Sequence, residues 1–453
     1  MADVYISRRG AANVKDFKNL WRFVPGITNK FNKDTNPDGV VLFDTAENCY
    51  IHEELEEFVK EHVRISTTDF TYSSCYNGGI SFPALMASHL NSYFLPHTQI
   101  SSNDIVTANG VTAVLSMLAF SIGDEGDAVL VSRPIYGRFE LDFKNSARLN
   151  IIYADMKGVD GFCPDVVERF EDELRKASVD GTRIKSCLIT NPHNPLGQCY
   201  PRKTLEALMA LCQRHKIHFI SDELYALSVF SPPNCSSPNF TSVLSINPDG
   251  LIDPSLVHVL YGMSKDFGLA GLKIGCLITR NESIKNCCES ILRFHSASGP
   301  SLKVASTILE HPKFVQDLLA LSRERLLEGY RLTTDALNAA RIPYYRGGNA
   351  GFFLYIDLSH LLKKCHGDAK QVEDEEFALA KHIWDHGVFL NPRQEHNEAP
   401  GWFRLVFASM SHHDLRIGLD RLTTAIRKIE SKLSNSNPED ISSSISQLSF
   451  LDQ

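Results

Sequence analysis

Between residues 103 and 278 the chain alternates short apolar runs with segments of helical period, a texture that few architectures accept. Residues 105–107, 128–131, 150–153, 187–190 and 218–221 are short and apolar enough for buried strands. Residues 112–120, 168–176 and 205–215 repeat their apolar positions at helical spacing. Strands separated by helices predict an α/β fold with an open, mostly parallel sheet. In such sheets ligands bind beyond the carboxyl ends of the strands, so functional residues are expected just after each apolar run.

The flanks read differently. Residues 1–50 are mixed, with turn residues clustered at 29–34 and at Asn36-Pro-Asp-Gly39, and residues 52–63 pattern as a helix with a solvated acidic face. From residue 311 onward come a long amphipathic helix over 313–340, an apolar run at 352–356, a helix around 376–386, a strand at 403–407 and a terminal helix. The expected division is 1–50 as the N-terminal part of a small α+β domain, 51–310 as a large domain and 311–432 as the rest of the small one. Residues 433–453, rich in serine, are expected to be a disordered tail.

Composition narrows the function. A hydrophobic fraction of 43% with 22% charged residues is ordinary for a soluble globular protein. A net charge of -8 leaves no basic footprint for nucleic acid or a membrane surface. The most apolar stretch, 111–122, is interrupted by Thr112, Ser116 and Ser121 and is too short to span a bilayer. The N-terminal residues lack the pattern of a secretory signal. The 11 cysteines are odd in number and form no C-x-x-C pair, which suits reduced thiols and makes the cytoplasm the expected compartment. His215/His218 and His412/His413 lack a third ligand in the pattern, so solvated histidines are expected there and no metal.

The strand ends bring the chemistry. Lys265 lies in a glycine-bearing turn between the apolar runs 256–261 and 274–278. An amine held there is partly desolvated, which lowers its pKa and frees it for Schiff-base formation, although an ordinary structural turn fits this segment alone equally well. Asp222 directly ends the run 218–221, where a carboxylate is costly unless it meets a cation. After 187–190 comes Asn191-Pro-His-Asn194-Pro-Leu-Gly197, which aims an amide from a strand end. Arg133-Pro-Ile-Tyr136 follows 128–131 and presents a ring, with simple packing as the alternative role. Asn109-Gly-Val111-Thr112 opens a helix whose N-terminal amides suit a phosphate or an ordinary cap. Lysine, aspartate, amide, the phenol of Tyr225, aromatic ring and phosphate cradle are the parts needed to hold pyridoxal 5'-phosphate.

In this order the stretches resemble the fold-type I pyridoxal-phosphate enzymes of the class I/II aminotransferase superfamily, over residues 20–430. Within them the chain is most similar to the 1-aminocyclopropane-1-carboxylate (ACC) synthase branch. The likeness rests on Asn36-Pro-Asp-Gly39 with Ala46-Glu-Asn48, Tyr76-Asn-Gly78, Asn191-Pro-His-Asn-Pro-Leu-Gly197 and Ser221-Asp-Glu-Leu-Tyr225. Ser264-Lys-Asp-Phe-Gly-Leu-Ala-Gly271, Asn349-Ala-Gly-Phe-Phe353 and Pro400-Gly-Trp-Phe-Arg-Leu-Val-Phe-Ala408 complete it. The resemblance implies a large domain with a mostly parallel seven-stranded sheet flanked by helices, and a smaller α+β domain. It implies Lys265 as the imine lysine and acid–base, Asp222 as partner of the pyridine nitrogen, and Asn194 and Tyr225 on the phenolic oxygen. Tyr136 would stack on the ring, while Val111, Thr112, Ser264 and Lys273 would hold the phosphate. Tyr76 would reach the cofactor of a neighbouring subunit in a homodimer. Arg404 would clamp the substrate α-carboxylate, with a surface charge as its alternative. Glu47 would face the substrate amine, the alternative being an ordinary first-turn helix glutamate.

Three departures from that pattern stand out. Gly262 replaces a common serine, Lys273 replaces the usual phosphate arginine, and Asn391-Pro-Arg-Gln394 replaces a Ser-Pro-Gly-Ser motif. The resemblance implies a carbon–sulfur lyase acting on S-adenosylmethionine or a cysteine S-conjugate, through an external aldimine, α-proton removal by Lys265 and loss of the sulfur group. An aminotransferase using the same residues, and a catalytically silent cofactor-binding scaffold, are the alternatives.

Overall fold

The computed structural model describes residues 5–18, 29–156, 158–233, 235–362, 369–392 and 400–435. The chain forms two compact units, a smaller one from residues 1–46, 328–346 and 353–453 and a larger one from 47–327 and 347–352. In chain order the strands are β1 (Val41–Leu42), β2 (Ile105–Ala108), β3 (Ala128–Val131), β4 (Asn150–Tyr153), β5 (Ile184–Thr190) and β6 (His218–Asp222). They continue with β7 (Val257–Gly262), β8 (Gly275–Thr279), β9 (Phe353–Asp357), β10 (Val388–Phe389) and β11 (Trp402–Val406).

The larger unit is built on a seven-stranded sheet in the order β2-β8-β7-β6-β5-β3-β4. Strands β3 to β7 pair in parallel, and β8 runs antiparallel to both of its neighbours. The short stretch between β7 and β8 holds no crossover helix, so the chain turns straight back instead of returning in parallel. The ends of β2, β5, β6 and β7 therefore share one edge with the start of β8, where Gly275 stands opposite both Ala108 and Gly262.

Burial explains the strand composition. Every residue of β2, β3, β7 and β8 is buried, as parallel-type sheets covered on both faces require. The helix Val111–Ile122 is apolar on nearly all sides, because it packs on the sheet and is covered in turn by the helices Phe139–Ala147 and Glu282–Ile291. Its Leu115 and Leu118 join Phe139, Phe143, Val129, Leu188, Ile220 and Leu260 in one apolar cluster. Each such side chain contributes roughly 1.5–3 kcal/mol on burial. The core thus fixes the strand ends from beneath.

The helix Pro312–Ala339 begins in the larger unit, and its residues from Glu328 belong to the smaller. Arg325 accounts for the first half's allegiance, since it bonds the Glu54 carboxylate at 2.6 and 3.0 Å. The smaller unit pairs β11 with β9 antiparallel and β1 with β10 in parallel. Its last helix, His412–Asn435, extends into the stretch expected as a tail, and residues 436–453 lie outside the described residues. Among the described residues, no helix is long and apolar enough to cross a membrane, and no group of three metal-ligating side chains occurs.

Candidate active site

Lys265 sits three residues beyond the end of β7. Its turn is closed by backbone bonds from Met263 N to Ile274 O (3.2 Å), Gly268 N to Lys265 O (2.9 Å) and Leu269 N to Met263 O (3.0 Å). The side chain is half-buried, and Nζ lies 5.9 Å from the ring centroid of Tyr225. That ring is buried and meets Phe352 edge-on at 5.2 Å. Asp222, the last residue of β6, is buried and accepts a 3.3 Å bond from Leu224 N. Burial pushes its carboxyl up to about 7, while the Leu224 amide and the charge of Lys265 pull the other way. Lysine and aspartate therefore face each other electrostatically at the sheet edge.

A cradle lies beside them. Gly110 takes φ +104° and opens the helix Val111–Ile122 without a side-chain cap, leaving its N-terminal amides to another acceptor. A Cβ on Gly110 would stand 3.5 Å from Lys273 Nζ, so the ammonium is poised at the open helix end. Lys273 itself is exposed and left-handed (φ 54°). Gly275 lies so close beneath that a Cβ there would collide with Val111 N. Gly262 has the same constraint, since its Cβ would fall 2.6 Å from Ile274 O and 3.4 Å from Val111 Cγ2. The departure at 262 is thus a packing requirement of this edge. Ser264 is half-buried in the same turn.

Asn194 is buried in the loop after β5. Its neighbour Asn191 has a structural task, accepting from Tyr200 N (3.1 Å) and donating to Thr241 O (3.0 Å). Asn349 stitches the same loop, through Asn349 N and Ala350 N to Gly197 O (2.7 and 2.8 Å) and Nδ2 to Pro238 O (2.8 Å). Tyr136 is partly buried and meets Phe139 edge-on at 5.2 Å. Tyr76 behaves differently, being 56% exposed. Its neighbour Asn77 fastens that loop to the sheet by accepting from Thr107 N at 2.9 Å.

Glu47 is not a first-turn helix residue. The helix His52–His62 carries Glu53 and Glu54 in its first turn, and a 3-10 turn over Cys49–Ile51 separates it from Glu47. The stretch instead packs on the lysine turn, where a Cβ at Gly268 would lie 2.7 Å from Asn48 O. His52 Nε2 donates to Gly268 O at 2.9 Å, and Asn48 Nδ2 donates to Ser322 Oγ at 2.8 Å.

Two buried acids escaped the sequence reading. Glu223 accepts from Ser221 Oγ (3.0 Å), Ser242 Oγ (2.5 Å) and Val243 N (3.0 Å). Asp266, next to Lys265, accepts from Ser228 Oγ, Leu227 N and Tyr261 Oη. The sequence signal was a carboxylate just past an apolar run for Glu223, and one in the turn after such a run for Asp266. Of the histidines expected to be solvated, His215 and His413 are exposed, whereas His218 opens β6 and its Nδ1 lies 2.9 Å from Nε2 of the buried His258.

Within the smaller unit, Arg404 lies on β11 opposite Tyr355. It is 3% exposed, which removes the surface-charge alternative. Its Nη2 donates to Asp44 O at 2.8 Å, and its guanidinium lies 5.4 Å from the Phe353 ring centroid. Arg393 and Gln394 of the rewritten motif lie outside the described residues.

A buried acid answering a lysine, beside a glycine-lined helix end with a second amine above it, fits the pyridine and phosphate ends of pyridoxal phosphate. The comparisons agree. The sequence profile described as aminotransferase class I and II matches residues 39–422. The rice (Oryza sativa subsp. japonica) protein 1-aminocyclopropane-1-carboxylate synthase 3 is 31% identical over 415 residues, covering 87% of this chain and 89% of its own. The mouse (Mus musculus) protein named "Probable inactive 1-aminocyclopropane-1-carboxylate synthase-like protein 2" is 29% identical, covering 93% and 72%. In fold, the structure of Thermus thermophilus aspartate aminotransferase with maleate superposes with a TM-score of 0.67 at 20% identity, covering 93% of this chain and 97% of that one. The chain belongs to the class I and II aminotransferase family, as an ACC synthase-like member with the pyridoxal-phosphate dependence of that family.

Proposed function

We propose that the protein is a carbon–sulfur lyase of the ACC synthase-like type, acting on an S-substituted L-amino acid such as S-adenosylmethionine or a cysteine S-conjugate. The bound cofactor supplies an electron sink for the substrate α-carbon. Lys265 is the anchoring amine and the base that takes the α-proton. Asp222 would hold positive charge at the pyridine nitrogen, and Asn194 and Tyr225 would donate to the phenolic oxygen. Tyr136 would stack on the ring, while the Val111 and Thr112 amides, Ser264 and Lys273 would hold the phosphate. Arg404 is assigned the substrate α-carboxylate, and Glu47 the substrate amine.

One observation carries the choice of chemistry: the approach of Gly268 to Asn48 O, which lays Asn48, the residue after Glu47, against the lysine turn. A carboxylate beside that turn suits a substrate with a cationic amine and a polarised sulfur. The relatives named as ACC synthases support the same reading. The test is a substrate panel of S-adenosylmethionine, cysteine S-conjugates, and an amino acid paired with 2-oxoglutarate. Repeated release of thioether or thiol is expected. Glutamate formation without sulfur release would favour transamination instead, the reading suggested by the family's description. The inactive-named mouse relative keeps a silent role in view, and that reading requires no turnover with any donor.

Tyr76 is proposed to enter the site of a second copy in a homodimer. Phe70, Tyr72, Tyr76 and Ile80 are all exposed along one short segment, an apolar surface that a second copy would cover. The cysteines among the described residues are free, which suits the proposed cytoplasmic setting.

A further inference from the structure

We propose that Asp266 is a positioning residue whose carboxylate fastens the turn bearing Tyr225 to the turn bearing Lys265, and so sets the spacing between amine and phenol ring. Asp266 is fully buried. Ser228 Oγ donates to its Oδ1 at 2.5 Å, and Leu227 N and Tyr261 Oη each donate to its Oδ2 at 3.0 Å. Two of these donors lie two and three residues after Tyr225 in the chain, and the third stands four residues before Lys265 on β7. The Leu227 amide must donate and both hydroxyls are placed to donate, an arrangement that favours the ionised carboxylate.

The surroundings match that state. Burial pushes the Asp266 carboxyl up to about 7, while its bonds from Ser228, Leu227 and Tyr261 and the charge of Arg323 favour the ionised form. The Tyr261 phenol is raised well above its ordinary value and stays a donor. His89, stacked on Tyr261 with its Nε2 3.5 Å from the hydroxyl, is lowered to about 3 by burial and stays neutral. Lys265 is the neighbouring residue. A buried carboxylate is rarely the most stable filling for such a space, and a well-packed apolar side chain would stabilise the fold as well. What the carboxylate adds is a fixed distance between two turns. Gly268 fixes the far side of the lysine turn against Asn48 and His52, so the turn is held at both ends.

The inference rests on the proposed roles of Lys265 and Tyr225, and the test separates the two. The cofactor-loaded enzyme is titrated with pH while the visible band of the lysine-bound cofactor is followed, in wild type, Tyr225→Phe, Asp266→Asn and the double variant. Hydrogen–deuterium exchange over residues 224–230 is measured alongside. Asp266→Asn is expected to reproduce at least half of the Tyr225→Phe midpoint shift, with the double variant shifting no further than Tyr225→Phe alone. Exchange at 224–230 is expected to quicken by roughly 10-fold or more, as loss of bonds to a buried charge implies. Additive midpoint shifts, or unchanged exchange in a folded Asp266→Asn protein, would overturn the proposal. If that variant does not fold, Ser228→Ala removes one bond to the same carboxylate. It should move both readouts in the same direction, and no movement in either overturns the proposal. A wild-type midpoint in Tyr225→Phe would refute the role of the phenol, and exchange would then decide Asp266 by itself.

Discussion

A methyl group on Gly268 would lie 2.7 Å from the carbonyl oxygen of Asn48. The same glycine takes φ +63°, where a side chain is strained whatever the space around it. Gly268→Ala is therefore expected to cost at least about 2 kcal/mol, from the left-handed backbone and the forced separation of two backbones. Urea unfolding measures the loss. A variant as stable as wild type would mean that the two segments are not pinned together.

Glu47 rides on the pinned stretch and is not a helix-capping residue, so its substitution should spare the fold. Glu47→Gln should leave cofactor absorbance and thermal stability unchanged. It should lower kcat/KM for the S-substituted amino acid by roughly 10–100-fold, the scale of one hydrogen bond to a charged group. An unchanged kcat/KM would remove Glu47 from the substrate site.

Asp222 gives the fold a pH dependence with a definite sign. Its ordinary value is 3.8 and burial raises it to about 7, so the unfolded chain releases this proton first as pH rises. The cofactor-free fold consequently loses stability between about pH 4 and 7, at about 1.4 kcal/mol per pH unit for one such group. Glu223 and Asp266, also raised to about 7, act with the same sign. Asp222→Asn should raise the thermal midpoint of cofactor-free protein more at pH 8 than at pH 5. Equal changes at both would show that Asp222 ionises freely in the fold.

The phosphate cradle predicts that restoring a hydroxyl will not help. Gly262→Ser would bring a Cβ to 2.6 Å from Ile274 O, so cofactor dissociation should quicken and stability fall. Lys273→Ala should weaken cofactor binding by roughly 10–100-fold, as removal of one charge-assisted bond does. Equilibrium dialysis against pyridoxal phosphate checks both.

Much of this site was legible in the chain because Asp222, Asn194 and Lys265 each follow an apolar run, and the sheet gathers whatever follows its strands. The seven strands and their mostly parallel order were legible for the same reason. What the sequence hid is pairing at a distance. The partners of Asp266 at Leu227 and Ser228 lie 39 and 38 residues away, with no periodicity to announce them. Gly262 looked like a lost hydroxyl, since nothing local reveals that it stands opposite Gly275 beneath Val111. The burial of Arg404 depends on its pairing with β9 and the carbonyl of Asp44, 360 residues earlier.

The most direct measurement is borohydride reduction of the cofactor-loaded protein, followed by peptide mapping of the site where pyridoxyl phosphate becomes fixed. The adduct is expected on Lys265 and should vanish in Lys265→Ala. Lys273, whose amine stands at the same sheet edge, should remain unmodified. An adduct on Lys273 or on any other lysine, with Lys265 unlabelled, would contradict the assignment on which the site is built.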